Sequence, residues 1–375
     1  MLKMIQLKNE MSRIRLEPNA YLDVDAVGCF DNIATNMIGL AIRRAGGSKQ
    51  MAQAQIKSLI SQQHRVKTGL GISKDFFEWH EDCKLGGSGQ GSGASMLNWH
   101  IINETFIETY FESMNRKYGR NEVKLTIKSF VDDNKLMFAY HGGTELSRMT
   151  EIIREGLLTW NNLLRMTGGE LSINKCFFSI TSFNMDMYGN VKPITFNEED
   201  VNINVEINNK TSEITQVAPT QGNRLLGVRI SGTGNFKDEF EFRLEQSYQM
   251  AVKMRKAKMD RKEAYLVYAT RYKPMLHYPL PITTFTDSQC KQIQSPFLNV
   301  LIPQLGMNRK MPRAVCFGPK QYGGLALTNM IYDQFVKHIL IMRRHICNND
   351  HIGKQYINNI KQYQIFIGCG TLFLQ

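Results

Sequence analysis

Two stretches of the sequence place aspartates where their carboxylates could act together. Asp132 and Asp133 stand between two short segments with strand-like apolar residues, which predicts a β-hairpin with both carboxylates at its tip. Asp23 and Asp25 lie in the alternating stretch 21–26, so both occupy one face of a predicted strand. A strand aspartate and a hairpin pair can converge in one sheet.

Three converging carboxylates form a site of hard oxygen ligands, which suits Mg²⁺ with phosphate oxygens and waters completing its shell. Two such ions can hold the attacking and leaving oxygens of an in-line displacement at phosphorus. The pattern also has a simpler interpretation. Adjacent aspartates at a turn often do no more than satisfy the turn backbone with their side chains.

A family resemblance favours the catalytic interpretation. Segments 25–31 (DAVGCFD), 89–93 (GQGSG) and 130–133 (FVDD) resemble the successive palm motifs of reverse transcriptases in letters, order and spacing. The closest resemblance is to retrotransposons without long terminal repeats. It covers roughly residues 18–325, and the motifs are specific in combination rather than singly.

The resemblance implies an α+β fold of the right-hand polymerase type. A palm would carry the catalytic carboxylates on an antiparallel sheet backed by helices, and a mostly helical thumb would follow it. The implied activity is RNA-directed DNA synthesis, in which a primer 3′-oxygen attacks a deoxynucleoside triphosphate. Asp25, Asp132 and Asp133 would hold two Mg²⁺ ions, with Mn²⁺ as a substitute. The partners would be an RNA template, a DNA primer and deoxynucleoside triphosphates.

The resemblance also implies roles for residues around the carboxylates. Phe30 would pack under the sugar and exclude a 2′-hydroxyl, although it could also be a core aromatic. The Ala26 carbonyl is a further candidate ligand, and Gln90 and Gly91 would contact the nucleotide and its base pair. Lys175 is a candidate proton donor to the leaving pyrophosphate, with an ordinary solvated lysine as the alternative.

Two features near these motifs favour structural roles. Asp31 is an expected N-cap for a helix that ends at Gly46, and a fourth metal ligand is the alternative. The helix after the glycine-rich segment carries an apolar stripe that includes Trp99, which we interpret as core rather than as part of a site.

The charge is distributed unevenly along the chain. The net charge is +12, yet residues 1–233 hold 26 Lys and Arg against 25 Asp and Glu, whereas residues 234–375 hold 20 against 9. A basic C-terminal part beside an acidic site indicates a bound polyanion, and a merely solvated basic face is the alternative. We therefore expect Lys253, Arg255 and Lys256 to contact the template–primer backbone, and Arg65 and Lys67 to meet template phosphate.

These expectations give a domain plan. Residues 1–232 form the palm, with a partial fingers segment near 48–90, residues 233–345 form the helical thumb, and residues 346–375 are a tail of unknown role. Only 24 residues precede Asp25, so the fingers that reverse transcriptases carry there are expected to be missing. A separate fingers segment or the rest of an element polyprotein would then be a partner.

Two other functions stay open. One is a catalytically defective nucleic-acid-binding remnant of a retroelement. The other is an RNA-templated RNA polymerase, which Phe30 disfavours because it predicts exclusion of a ribose.

No stretch of sequence is apolar over the length that spans a bilayer, so no membrane partner is expected. The seven cysteines are scattered and odd in number, which favours neither a disulfide framework nor a structural zinc site. We expect an intracellular protein of the cytoplasm or nucleus.

Overall fold

A computed structural model of the chain describes residues 1–28, 30–78, 87–88, 93–119, 122–131, 133–141, 146–194, 201, 203–207, 210–257 and 259–371. The chain forms two compact units. The sheet unit contains residues Glu17–Asp186 and Lys192–Ala218, and the helical unit contains Met1–Leu16, Met187–Val191 and Pro219–Gln375. Residues 1–16 and 219–232, which the sequence-based plan placed in the palm, therefore lie in the helical unit.

The α-helices are α1 (Leu2–Arg15), α2 (Thr35–Arg44), α3 (Lys49–Ile60), α4 (Ser95–Tyr118), α5 (Leu146–Met166), α6 (Lys237–Lys256), α7 (Arg261–Val267), α8 (Lys273–His277), α9 (Asp287–Gln304), α10 (Arg313–Phe317), α11 (Met330–Cys347) and α12 (His351–Phe366). One π-helical turn, Tyr268–Tyr272, joins α7 to α8.

The strands are β1 (Asn19–Val24), β2 (Gln63–His64), β3 (Lys67–Thr68), β4 (Gly71–Ile72), β5 (Phe77–Glu78), β6 (Val123–Phe130), β7 (Asp133–Tyr140), β8 (Phe177–Met185), β9 (Val191–Ile194), β10 (Ile203–Ile207), β11 (Lys210–Gln216), β12 (Asn223–Leu225) and β13 (Val228–Ile230). The main sheet has the order β10-β11-β8-β1-β7-β6, and β9 pairs with β8.

The central strands of this sheet are antiparallel, and β1 lies between β7 and β8. Alternation along β1 and β7 sends one set of side chains into a core, because successive residues of a strand point to opposite faces. Leu22, Leu136 and Phe138 are fully buried in that core. Helices α4 and α5 supply much of the rest of it, including Tyr110 and Trp160.

The apolar residues of helix α5 recur at the period of an α-helix. Met149, Ile152, Ile153 and Leu157 are buried at helical spacing. The chain leaves the helical conformation at Gly168, which has a φ of +92°. Such a conformation favours glycine, which carries no Cβ. A mostly antiparallel sheet backed by helices confirms the predicted α+β class.

The expected capping role of Asp31 is wrong. Helix α2 begins at Thr35, and its N-cap position is occupied by Ala34. Asp31 lies in the preceding turn, where its backbone N–H donates to the carbonyl of Gly28 at 2.9 Å. The Asn32 side chain donates to the Val27 carbonyl at 2.7 Å, so it stabilises this turn rather than the helix.

The helical unit is built around α6 and α9, which pack together. Its core includes Tyr272 and Phe297, whose rings stack with centroids 3.7 Å apart. Helix α12 covers much of the segment that the sequence left as a tail, and it packs against α1. The amide of Asn359 in α12 donates to the carbonyl of Leu7 in α1 at 2.8 Å, which joins the two ends of the chain within this unit.

Within the residues described, no helix is both long enough and apolar enough to cross a membrane.

Candidate active site

Asp25 and Asp133 lie at the same end of the paired strands β1 and β7. We call this end of the strand pair the sheet edge. Strands β1 and β7 pair antiparallel, and their last paired residues are Asp23 with Lys135 and Val24 with Asn134. One further step in the same register sets Asp25 opposite Asp133. Residues two apart on a strand share a face, so both aspartates belong to the face opposite the one that carries Leu22. The extended register thus places two of the three predicted carboxylates at neighbouring positions, and their role as metal ligands stays a prediction.

The backbone of Asp25 is held by a neighbouring segment. The Ser172 N–H donates to the Asp25 carbonyl at 2.9 Å, and Ala26 forms an antiparallel bridge with Leu171. This pairing delivers Lys175, whose Nζ lies 3.0 Å from Oδ2 of Asp25. The Lys175 side chain is 71% exposed and that of Asp25 is 26% exposed. A cation therefore already lies against the predicted metal ligand, in a position that solvent can reach.

Asp23, two residues before Asp25, is committed to another partner. Its carboxylate lies 2.9 Å from Nζ of Lys135, with side-chain exposures of 14% and 9%. Burial raises the pKa of the Asp23 carboxyl, and the ammonium of Lys135 acts in the opposite direction. The Lys135 ammonium also lies 5.3 Å from the ring centroid of Tyr21. Lys135 thus compensates the charge of Asp23, which distinguishes this aspartate from the predicted metal ligands on the same face.

The hairpin that carries Asp133 contains a residue with an unfavourable backbone conformation. Phe130 pairs with Asp133, so only Val131 and Asp132 separate β6 from β7. Two-residue hairpin turns require positive φ at their first central residue. Val131 has a φ of +59°, which is unfavourable for a β-branched side chain and costs on the order of 1–3 kcal/mol.

Helix α4 compensates for this strain with two side chains. The Trp99 Nε1–H donates to the carbonyl of Val131. The Asn103 amide donates to Oγ of Ser129 at 2.7 Å. Both side chains are buried. The hairpin tip is therefore fixed by hydrogen bonds from a helix that packs in the core.

Phe30 lies close to this hairpin tip. Its ring meets that of Trp99 edge-on with centroids 6.3 Å apart. Phe30, Ala26 and Val131 all pack, half-buried, against one small apolar cluster that contains Trp99. A half-buried aromatic in this position retains an exposed surface that a ligand at the aspartates could contact.

The start of the glycine-rich segment also reaches Phe30. The Ser88 N–H donates to the Phe30 carbonyl at 2.8 Å, and a Cβ on Gly87 would lie 2.0 Å from that oxygen. Only glycine fits such an approach, and the φ of +78° at Gly87 favours it as well. Gln90 and Gly91 lie outside the described residues, as does Asp132.

The described residues include two of the three predicted metal ligands. Among these residues, no group of three His, Cys, Asp or Glu side chains converges as a metal site. The predicted set, however, includes Asp132. Two observations suit Mg²⁺ at this position. Asp25 and Asp133 offer hard oxygen donors at one sheet edge. The ammonium of Lys175 beside Asp25 shows that a positive charge is accepted there.

The predicted nucleic-acid contacts fall into two groups. Arg65 and Lys67 are exposed around the short strands β2 and β3 of the sheet unit. Lys253, Arg255 and Lys256 are exposed in the last turn of α6 in the helical unit. Cations in a last helical turn also complement the helix dipole, so their presence there has a structural cause as well.

Three residues of the site were not recognised in the sequence as parts of it. Trp99 was assigned to the core, and Asn103 and Lys135 were assigned no role. No local signal in the sequence pointed to Trp99, because its contact with the Val131 carbonyl depends on how α4 lies against the hairpin. The partner of Asp23 could have been found by aligning Asp23 with Lys135 across the predicted strand pair.

No protein-family model and no curated protein matches the chain. Several solved structures of telomerases are similar to it. Apo telomerase from Candida tropicalis aligns with a TM-score of 0.44 at 11% identity, over 99% of this chain and 54% of that one. The C. tropicalis telomerase in complex with a TWJ fragment of telomeric RNA aligns with a TM-score of 0.43 at 10% identity, over 99% and 50%. For the Candida albicans telomerase in complex with a TWJ fragment the values are 0.36, 10%, 88% and 54%.

The chain spans about half the length of these solved telomerases. A similarity of this level assigns neither a family nor an activity to it.

Proposed function

We propose that this protein is a nucleotidyltransferase of the reverse transcriptase type, an RNA-directed DNA polymerase. The observation that carries the proposal is the position of Asp25 and Asp133 at one edge of the sheet, opposite each other when the register of β1 and β7 is extended by one step. The sequence resemblance to reverse transcriptase palm motifs supports the same reaction. A retroelement as the source of the chain belongs to this proposal too.

Asp25, Asp132 and Asp133 would hold two Mg²⁺ ions, or Mn²⁺ in their place. When bound, the ions would activate the primer 3′-oxygen and stabilise charge on the phosphate oxygens. Asp23 is not a member of this set, because Lys135 already compensates its charge. The Ala26 carbonyl is a further ligand in this proposal, and its backbone is fixed by the bridge to Leu171.

Lys175 has two successive tasks. Before the ions bind, its ammonium lies against the Asp25 carboxylate and offsets the repulsion between neighbouring carboxylates. Ions held by Asp25 would compete for that oxygen, and the exposed lysine side chain would then turn toward the substrate. There it would donate a proton to the leaving pyrophosphate, as a positioned general acid does.

The substrate would lie against Phe30, with Gln90 and Gly91 at its base pair. Phe30 supports this placement because it is half-buried beside the hairpin tip rather than enclosed in the main core. The contact between its ring and Trp99 fixes its position. A fixed aromatic under the sugar would exclude a 2′-hydroxyl and select deoxynucleotides.

The basic residues Arg65, Lys67, Lys253, Arg255 and Lys256 would hold an RNA template and a DNA primer by their phosphates. All five are exposed, as such contacts require. Phosphate contacts position a duplex without reading its sequence, so no sequence preference is expected from them.

The test is primer extension on an RNA template with Mg²⁺ and deoxynucleoside triphosphates. Asp25→Asn and Asp133→Asn should each abolish extension while leaving duplex affinity within a factor of about two, because they remove ligands rather than phosphate contacts. Asp75→Asn, at an exposed bend of the sheet unit, is the matched control and should extend like the parent chain.

Two outcomes would count against polymerase activity. Extension that survives both aspartate variants would contradict the assigned carboxylates. Duplex binding with no extension under any metal would instead favour the non-catalytic nucleic-acid-binding alternative.

A further inference from the structure

The helical unit contains a large cavity that lies within that unit and has no part in the reaction proposed above. Its volume is about 1090 Å³, slightly above the range usual for small-molecule sites. Helices α8, α9, α10 and α11 contribute its walls. The loop between α10 and α11 forms part of its rim.

The conformation of this rim is fixed by backbone hydrogen bonds and by close backbone packing. The Ala326 N–H donates to the Gly318 carbonyl at 2.9 Å, and the Leu325 N–H donates to the Val315 carbonyl at 3.0 Å. A Cβ on Gly324 would lie 2.1 Å from the Gly318 oxygen, so the two arms of the loop approach this closely only because position 324 is glycine. The backbone bonds and this close approach fix the opening of the cavity.

The cavity wall is strongly positive. Lys273, Lys291 and Arg313 line it from three different helices. Within the described part of the chain, none of these three cations forms an ion pair. Asp333 alone is acidic among the described residues of the wall, and its carboxylate is committed to His277 at 2.7 Å. Three uncompensated cations around one cavity favour an anionic ligand.

An exposed aromatic ring accompanies these cations. Tyr332 lines the same cavity and is 70% exposed. Phe317 contributes a second ring to the wall. A planar base can stack on such a ring, and sequence-tolerant binding of single strands combines this stacking with phosphate contacts.

A second, smaller cavity repeats the combination. Its volume is about 500 Å³, and it is lined by Arg255, Arg309 and the half-exposed ring of Tyr248. Ser295 of α9 lines both cavities, so they adjoin across one helix. Each of these neighbouring cavities therefore has cations beside an aromatic ring. A nucleic acid strand repeats a phosphate and a base in each unit, so it could occupy both cavities.

We propose that the two cavities together form a binding groove for a single-stranded nucleic acid, with one nucleotide unit in the large cavity. Lys273, Lys291 and Arg313 contact phosphate there, and a base stacks on Tyr332. Arg255 and Arg309 hold the phosphate of an adjoining unit. All residues of the groove belong to the helical unit, and Asp25 and Asp133 are not among them. Only Arg255 also has a role in the polymerase proposal, so the groove can be tested apart from catalysis.

The experiment measures binding of a fluorescent oligothymidylate and oligouridylate to the full chain by anisotropy at several salt concentrations. Lys291→Ala combined with Arg313→Ala should weaken binding roughly tenfold or more and flatten the salt slope by about 0.7 for each phosphate that is no longer neutralised. Tyr332→Ala should weaken binding roughly tenfold, and Tyr332→Phe should retain it because the ring remains.

Matched controls remove the same groups elsewhere on the unit. Lys262→Ala combined with Arg271→Ala removes two exposed cations, and Tyr322→Ala removes a ring that is 81% exposed. None of these residues lines either cavity. They should bind within a factor of about two of the parent chain.

Two results would overturn the inference. One is equal binding by the cavity variants and their controls. The other is that free thymidine monophosphate binds as tightly as the oligonucleotide and displaces it. The site would then bind single nucleotides rather than a strand. The measurement is repeated on Asp25→Asn, which should bind the strand normally. Failure of primer extension with intact groove binding would sink the proposed activity and leave this inference standing.

Discussion

Nζ of Lys175 lies 3.0 Å from Oδ2 of Asp25, although the two residues are far apart in sequence. The contact exists because the segment around Leu171 pairs with Ala26 and brings the lysine across the sheet edge. An ammonium in this position supplies one positive charge where a divalent ion would supply two. It would therefore compete with a proposed ion for the same oxygen.

Lys175→Ala tests both parts of this relationship. The half-saturating Mg²⁺ concentration for primer extension should fall, since no ammonium competes for Asp25. Maximal turnover should fall about a hundredfold, the lower end of what a positioned general acid contributes. Extension rates over a Mg²⁺ series separate the two effects.

The control is Lys192→Ala, which breaks a similar exposed pair with Asp186 at 2.9 Å. It should change neither the metal dependence nor turnover, because an exposed pair contributes little. A Lys175 variant with unchanged Mg²⁺ dependence would show that the contact with Asp25 does not limit metal binding.

Trp99→Phe isolates one hydrogen bond at the hairpin tip. It keeps a ring beside Phe30 but removes the donor to the Val131 carbonyl. Stability should fall by about 1 kcal/mol, the usual net value of one hydrogen bond. Turnover should fall roughly tenfold, because small errors in the placement of reacting groups are costly.

Trp160→Phe is the comparison, because Trp160 is equally buried but packs against Phe106 in the main core. It should lower the thermal midpoint at least as much while leaving turnover intact below that temperature. Equal turnover in both variants would mean that the hairpin tip holds its geometry without Trp99.

Local patterns in the sequence predicted the frame of the site. A two-residue period predicted the strand that ends just before Asp25, and a 3.6-residue period predicted the apolar stripe of helix α4. A short apolar run predicted the strand that begins at Asp133. Both periods are local properties of a chain, so a single sequence reveals them. The start of α2 was placed too early, because Asp31 and Asn32 are as suitable for a turn as for a cap.

Long-range partners could not be predicted in the same way. Trp99 resembles any buried member of a helical stripe, and only the fold shows that its N–H meets Val131. The packing of α1 on α12 joins residues from opposite ends of the chain, and no local pattern encodes such a choice. The cations of the large cavity come from separate helices, so their convergence on one space is a property of the tertiary structure.

The lowered pKa of Lys3 gives a prediction of how the free energy of unfolding depends on pH. Burial in the helical unit lowers the pKa of its ammonium to about 8, and the charge of Glu10 opposes this only in part. The folded pKa lies below the unfolded value of about 10.5, so the folded state binds fewer protons between these values. Stability should therefore rise as pH increases from about 8 to 10.5, by at most about 1.4 kcal/mol per pH unit, and this gain should be absent below about pH 8.

Lys3→Met removes this titration. The variant should be more stable than the parent chain at pH 7, and the difference should shrink toward pH 10, as measured by denaturant unfolding at each pH. Lys354→Met, at an exposed position of α12, should leave the pH dependence unchanged. Parallel curves for the parent and Lys3→Met would contradict the effect of burial.

Phe30→Ala tests sugar selection. Removing the ring opens space beside Ala26 and the hairpin tip, so a ribonucleotide should be accepted more readily than by the parent chain. The ratio of ribonucleotide to deoxynucleotide incorporation should rise about tenfold or more, because the rejection that is removed is steric. Single-nucleotide extension with each substrate gives the ratio.

The variant also loses its edge contact with Trp99, so a general loss of activity has to be distinguished from a change in selection. Phe30→Tyr keeps the ring and should keep the exclusion. Phe111→Ala removes a half-buried ring from α4 that packs against the main core, and it should lower stability without changing the ratio. Selection that follows the ring at position 30 alone would assign it to the substrate. An unchanged ratio in Phe30→Ala would mean that the ring serves only the packing around Trp99, and that any rejection of ribose arises elsewhere in the site.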